Sequence, residues 1–221
     1  MMKGRLITAK MIAGFKEHLI LEERSAATIQ KYIRDVKAFA EYARLCQAAQ
    51  RRHNERLNLI LQTICGTGIR VSELQFITVE AAKCGEAVVR CKGKTRTVFL
   101  VKALRQKLLR YAAKQNIQSG MIFVTRTGKP ISRTNIWREM KALCVEADVN
   151  PQKVFPHNLR HLFARVFYGI EKDIAKLADI LGHSSINTTR IYNLHRHGAP
   201  PVYGEYAPDP MKKAAHSAVG T

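Results

Sequence analysis

Apolar positions along this chain recur mostly at every third or fourth residue, the spacing of helices that turn one face inward. Between Thr8 and Glu22, the residues Met11, Ile12, Phe15, Leu19 and Ile20 line one side of a first helix. Ser25 is placed to cap a second, which carries Ile29, Tyr32, Ile33, Val36 and Phe39. A polar, basic stretch from Gln47 to Asn54 separates it from a third, through Leu57, Ile60, Leu61 and Ile64. That helix stops at Gly66 and Gly68, where glycine can adopt the left-handed conformation that ends helices. Arg70 then lies just past a helix end, in a short helical turn through Leu74.

Further helices are predicted over residues 102 to 115 (Leu104, Leu108, Tyr111) and after Ser132 (Ile136, Met140, Leu143, Val145). Pro156 introduces one bearing His157, Arg160, Phe163, Ala164 and Phe167; Ile174, Leu177, Ile180 and Leu181 make the next. Ser184 or Ser185 caps a last helix leading to Tyr192. The pattern turns β-rich at Ala87–Cys91 and Thr97–Val101, with the glycine-bearing turn Lys92–Arg96 between them, which predicts a hairpin with a basic tip. Ile122–Val124 reads as one more short strand. From Gly198 onward the prolines and glycines will not support a helix. The expected fold class is therefore mostly α with a small β-sheet (α+β), and no internal repeat is visible.

Charge adds a partner class. The 221 residues include 37 Lys+Arg against 17 Asp+Glu, a formal net charge of +20. Such an excess favours a polyanion, through phosphate contacts and counterion release. A ribosomal protein or a membrane-surface binder would share that charge, so charge alone supplies no chemistry. Five cysteines, odd in number and without a Cys-x-x-Cys pair, suggest free thiols in a reducing cytosol. No signal peptide and no bilayer-spanning stretch is expected. His195 and His197 lack neighbouring ligands in sequence, so no metal site is expected either.

The chemistry comes from an ordered set of side chains. Arg70 stands in Thr67-Gly-Ile-Arg-Val-Ser-Glu-Leu74, His157 and Arg160 in His157-Asn-Leu-Arg-His161, and His183 in Leu181-Gly-His-Ser-Ser185, nine residues before Tyr192. Attack on a phosphodiester builds charge on the non-bridging oxygens, and guanidinium groups can fork onto them without a metal. Histidines can donate or shuttle protons near neutral pH. A tyrosine oxygen can become linked to phosphorus, its pKa of about 10 requiring nearby cations to stabilise the phenolate. Lys92, with Lys94 in reserve, is placed at the hairpin tip to protonate the leaving 5′ oxygen. Glu73 buttresses Arg70. Taken singly, each residue has a duller reading as a surface charge, a cap or a core aromatic; the ordered combination carries the inference.

From about Leu57 to Tyr192 these motifs resemble the tyrosine recombinase (phage integrase) family: Thr-Gly-Ile-Arg-x-Ser-Glu-Leu, His-x-Leu-Arg-His, Leu-Gly-His-Ser-Ser and Thr-Thr-x-x-Tyr. The resemblance implies catalytic roles for Arg70, Lys92, His157, Arg160, His183 and Tyr192, the last as nucleophile of a 3′-phosphotyrosyl intermediate. It implies Glu73 as a support, Lys94, Arg96 and Arg133 as DNA-binding, and no metal or nucleotide cofactor. The implied partner is double-stranded DNA, bound by a homo-oligomer in the cytoplasm of a bacterium, on its nucleoid, with no membrane and no small-molecule substrate. Residues 1–45 resemble a shortened core-binding clamp, 46–197 the catalytic domain and 198–221 an irregular tail. A deletion near residues 42–50 and an altered reading frame after Tyr192 would account for the departures from the family pattern. The expected activity is site-specific cutting and rejoining of DNA, with cleavage retained and strand exchange impaired. The alternatives are a DNA-binding remnant and a type IB topoisomerase-like relaxing activity.

Overall fold

A computed structural model describes residues 6–91 and 93–189 of the chain, the side chains of Cys91 and Lys94 excepted. Lys92 and Tyr192 lie outside the described residues, as does the tail from 198. The architecture begins with α1 (Ala9–Leu21), α2 (Ala26–Arg51) and α3 (Glu55–Thr67), then a 3₁₀ turn over Val71–Phe76 and the short α4 (Val79–Cys84). A hairpin of β1 (Glu86–Cys91) and β2 (Lys94–Phe99) follows. The remaining helices are α5 (Lys102–Lys114), α6 (Arg133–Leu143), α7 (Pro156–Glu171) and α8 (Ile174–Leu181). The expected α+β class is the observed one.

Helix α3 is the axis of the body. Leu57, Leu59, Ile60, Leu61 and Ile64 are all buried, so apolar residues occupy more than one stripe of it, as befits a helix enclosed on several sides. Helices α2, α5, α6 and α7 pack around it. Its two buried hydroxyls are satisfied within the helix: Thr63 donates to Leu59 O (2.7 Å) and Thr67 to Thr63 O (2.6 Å). Asn54 caps the start, accepting from Leu57 N at 3.0 Å, and Gly68 ends it at φ +66°. A side chain at Gly68 would collide with the Phe163 ring on α7, so the turn into Arg70 requires glycine for space and for conformation.

Four expectations are corrected. Gln47–Arg51 is helical, not a linker: α2 continues to Arg51, with Ala48 and Ala49 wholly buried against the core. Alanine and glutamine favour helix, and the small side chains admit α3 closely. Arg51 and Arg52 then pair with Glu146 at 2.8 and 2.7 Å. Ile122–Val124 forms no strand, only a single bridge at Val124–Pro130; Pro130 has no amide to extend a ladder. The hairpin turn is shorter than expected. The register runs from Glu86–Phe99 to Cys91–Lys94, so Arg96 belongs to β2 and shares the inward face with Val89 and Val98, while Val101 falls beyond the strand. Finally, the apolar side of α1 is mostly uncovered: Leu19 is buried, but Met11 and Ile20 are each 53% exposed, because α1 packs chiefly on α2.

The N-terminal helices are nevertheless tied to the site. Arg165 on α7 donates to Asp35 on α2 at 2.7 Å, with both side chains largely shielded. Phe163, Phe167 and Tyr168 of α7 pack over Ala164, Leu177 and Leu181, joining α7 to α8.

Candidate active site

Three local structures deliver the charged groups. Arg70 is the residue before the 3₁₀ turn, and Glu73 closes that turn with a capping box. The Glu73 carboxylate accepts the Arg70 amide (2.8 Å) and Arg70 Nη1 (2.8 Å). Pro156 opens α7, where its missing N–H costs nothing, and this sets His157 and Arg160 one turn apart. Asp173 caps α8 and Gly182 ends it at φ +63°, turning the chain so that His183 faces back toward α7.

The result is one hydrogen-bonded cluster drawn from distant stretches of chain. Arg160 is 2% exposed; it donates to Gly68 O, to Leu181 O at 2.6 Å, and lies 3.2 Å from His183 Nε2. Arg70 Nη2 donates to the next carbonyl, Gly182 O, at 3.2 Å. Both guanidinium groups therefore bond consecutive peptide oxygens at the end of α8. His157 stands exposed at the start of α7, in edge-to-face contact with His161. Its pKa is lowered by partial desolvation and then by the charges of Arg160, Arg70 and Arg133, so Arg133, at the start of α6, is electrostatically part of the site. Arg133 also lines a small cleft with Val71, Ser72 and Gln75 just beyond Arg70.

The tautomer of His183 follows from its neighbours. Arginine has no lone pair to offer, so Nε2 accepts from Arg160 and the proton sits on Nδ1, which donates to Thr189 Oγ1 at 2.8 Å. Desolvation, then the Arg160 and Arg70 charges, push the His183 pKa down to about 4. In this arrangement His183 is an acceptor toward Arg160. With the folded value below the usual 6.5, the folded chain binds fewer protons, and stability is lost as pH falls from 6.5 toward 4. Proton-detected titration of the DNA-free chain is expected to place the His183 midpoint near 4; a midpoint at 6.5 or above would overturn the neutral assignment.

The sequence-predicted set is thus divided by the structure. Arg70, Glu73, His157, Arg160 and His183 converge, with Arg133 nearby. Lys92, Tyr192 and the Lys94 side chain lie outside the described residues; residues 186–189 are helical. Arg96, expected to face DNA, is turned inward: its side chain is 11% exposed and bonds both oxygens of Glu73, at 3.0 and 2.8 Å. The cause is that β2 already begins at Lys94, so Arg96 lies in the strand two residues before the buried Val98 and shares its inward face. Thr189, wholly buried beside His183, was given no role by the sequence; the second Thr of the Thr-Thr-x-x-Tyr motif was the available signal. Among the described residues, no group of three or more His, Cys, Asp or Glu could hold a metal ion, and no helix is long and apolar enough to cross a membrane.

Comparison with known proteins identifies the family. Residues 37–198 match the phage integrase family. Tyrosine recombinase XerH of Campylobacter jejuni is 31% identical over 189 residues, covering 82% of this chain and 50% of that protein. Tyrosine recombinase XerC of Erythrobacter litoralis is 30% identical over 174 residues, covering 75% and 56%. The chain spans about half the length of these curated relatives. In fold it resembles the crystal structure of XerA recombinase, with TM-score 0.60 and 23% identity over 97% of this chain and 84% of the other. With most of its length matched, this chain belongs to the phage integrase family of tyrosine recombinases.

Proposed function

We propose that the chain cuts and rejoins duplex DNA at a specific site through a 3′-phosphotyrosyl intermediate. The observation that carries this reading is the convergence of Arg70 and Arg160 on adjacent carbonyls beside His183. Two fixed planar cations within one such corner suit the two charged oxygens of a phosphodiester. Tyr192 Oη attacks phosphorus; an Oη–P bond forms, the P–O5′ bond breaks, and Lys92 gives its proton to the departing 5′ oxygen. The phenolic proton passes to the His157 imidazole, whose lowered pKa leaves the ring neutral to receive it, while His183 stays hydrogen-bonded to Arg160 and Thr189. Reversal by another 5′ hydroxyl reseals the strand, and bond energy is conserved in the tyrosyl ester, so no external energy source is required.

In this reading residues 46–197 form the catalytic unit, 1–45 a reduced DNA clamp and 198–221 a tail, although α2 runs unbroken across the first boundary. Lys94 and Arg133 contact DNA phosphates, while Arg96 serves inside the protein. Synapsis requires further copies on DNA: the crystallised lambda integrase is a dimer bound to its core site, and XerH has been crystallised with its difH substrate. The bacterial relatives support action on DNA in a bacterial cytoplasm.

The test is a nicked suicide duplex carrying the chain's site, obtained by selection from random sequence. The wild-type chain is expected to form a covalent adduct, and Tyr192→Phe to form none while binding the duplex equally. Adduct formation that survives in Tyr192→Phe would refute the assignment of the nucleophile. No adduct with any selected duplex would leave a DNA-binding protein only.

A further inference from the structure

Arg96 joins three segments that the reaction must hold in register. It forks onto Glu73 through both terminal nitrogens, at 3.0 and 2.8 Å, and its Nε donates to Ile180 O at 2.9 Å. The Glu73 carboxylate is 1% exposed. It accepts four hydrogen bonds, two from Arg70 and two from Arg96, which fills the acceptor capacity of an ionised carboxyl group. Gly182 completes the arrangement, since a Cβ there would lie 2.9 Å from Arg96 Cδ.

This division of Glu73 has a consequence for Arg70. A guanidinium and a carboxylate left alone favour a bidentate pair. Arg96 occupies half of Glu73, so Arg70 reaches it with Nη1 only, and Nη2 is turned to Gly182 O next to His183. We propose that Arg96 is a positioning residue that keeps Arg70 from collapsing onto Glu73 and fixes it relative to His183. The proposal rests on the phosphate-binding role assigned above to Arg70. Arg96 touches no reacting atom; it acts through Glu73 and through the end of α8.

The experiment compares wild type, Arg96→Met, Arg96→Lys, Arg70→Lys and the double variant Arg70→Lys/Arg96→Met on the same nicked duplex. Duplex affinity, thermal melting and single-turnover adduct formation are measured for each. Arg96→Met is expected to bind DNA as wild type does and to form adduct about 100-fold more slowly, the scale of losing one oriented donor. Arg96→Lys retains a charge on Glu73 without the contact to Ile180, and is expected to fall between the two. Because Arg96 acts through Arg70, adding Arg96→Met to Arg70→Lys is expected to cost little more than Arg70→Lys alone. Wild-type adduct rates in Arg96→Met, or affinity and rate falling in equal proportion, would overturn the proposal. So would a full further loss in the double variant. If Arg96→Met does not fold, the Arg96→Lys results decide by the same criteria. An inactive wild-type chain sinks the proposed function, an outcome distinct from any of these.

Discussion

Arg160→Ala is expected to slow covalent cleavage by about 1,000-fold, the upper end of the effect of removing one preorganised donor, and to destabilise the fold at the same time. The two losses share a cause. Arg160 is the largest of the fully buried side chains, and its guanidinium serves Gly68 O, Leu181 O and the His183 ring together. Truncation leaves two shielded carbonyls without that donor, at about 1–3 kcal/mol for each, and leaves the α7–α8 corner without its cross-link. Arg160→Lys is expected to fold better than Arg160→Ala yet remain nearly as slow, since an ammonium cannot reproduce the planar fork. Urea denaturation and single-turnover cleavage on the nicked duplex measure both effects. Cleavage within tenfold of wild type in Arg160→Lys would show that geometry at this position matters less than charge.

Glu73→Gln should be the most pH-dependent substitution in the chain. The Glu73 pKa is lowered to about 2: burial alone would raise it, but hydrogen bonds from Arg96 and Arg70 outweigh burial. A folded value below the ordinary 4.5 stabilises the protein above pH 4.5, and the contribution is lost as pH falls from 4.5 toward 2. A shift of that size corresponds to about 3 kcal/mol. The stability gap between wild type and Glu73→Gln is therefore expected to be near that figure at pH 7 and to close toward pH 2, where about half of the wild-type groups are already neutral. Denaturation midpoints across this range are the measurement. A gap that stayed constant with pH would mean that the Glu73 charge contributes nothing. Cleavage should fall in Glu73→Gln at every pH, since Arg70 loses its brace.

What could be read in the sequence was what local chemistry punctuates. Pro156 and Gly68 mark ends of helices by their own backbone preferences, and the spacing of Ile174, Leu177 and Leu181 predicts the helix before His183, so the segments holding Arg70, Arg160 and His183 were legible in advance. Glu73, three residues after Arg70, reads as its buttress, and the structure adds that it closes the turn with a capping box. The failures came where tertiary packing decided. Gln47–Arg51 looked polar because Ala48 and Ala49 carry little hydrophobic signal, yet small residues are what a close α2–α3 crossing needs. The hairpin closes at the Cys91–Lys94 pair and not around Lys92–Arg96, so Arg96 falls inside β2 on the face of Val98. The apolar residues of α1 have helical spacing whether or not a partner covers them, so periodicity could not foresee that Met11 and Ile20 stay in contact with solvent.

The carbonyls of Leu181 and Gly182 belong to neighbouring peptide units, and they are the oxygens that fasten Arg160 and Arg70. Covalent geometry spaces successive units at about 3.8 Å along a trans chain. The two cations are thus referred to neighbouring units of one backbone turn, with the Glu73–Arg96 pair bracing Arg70 against it. Apolar residues around α3 can drift over many substitutions without altering that turn, whereas a one-residue insertion between 181 and 183 would ruin it outright.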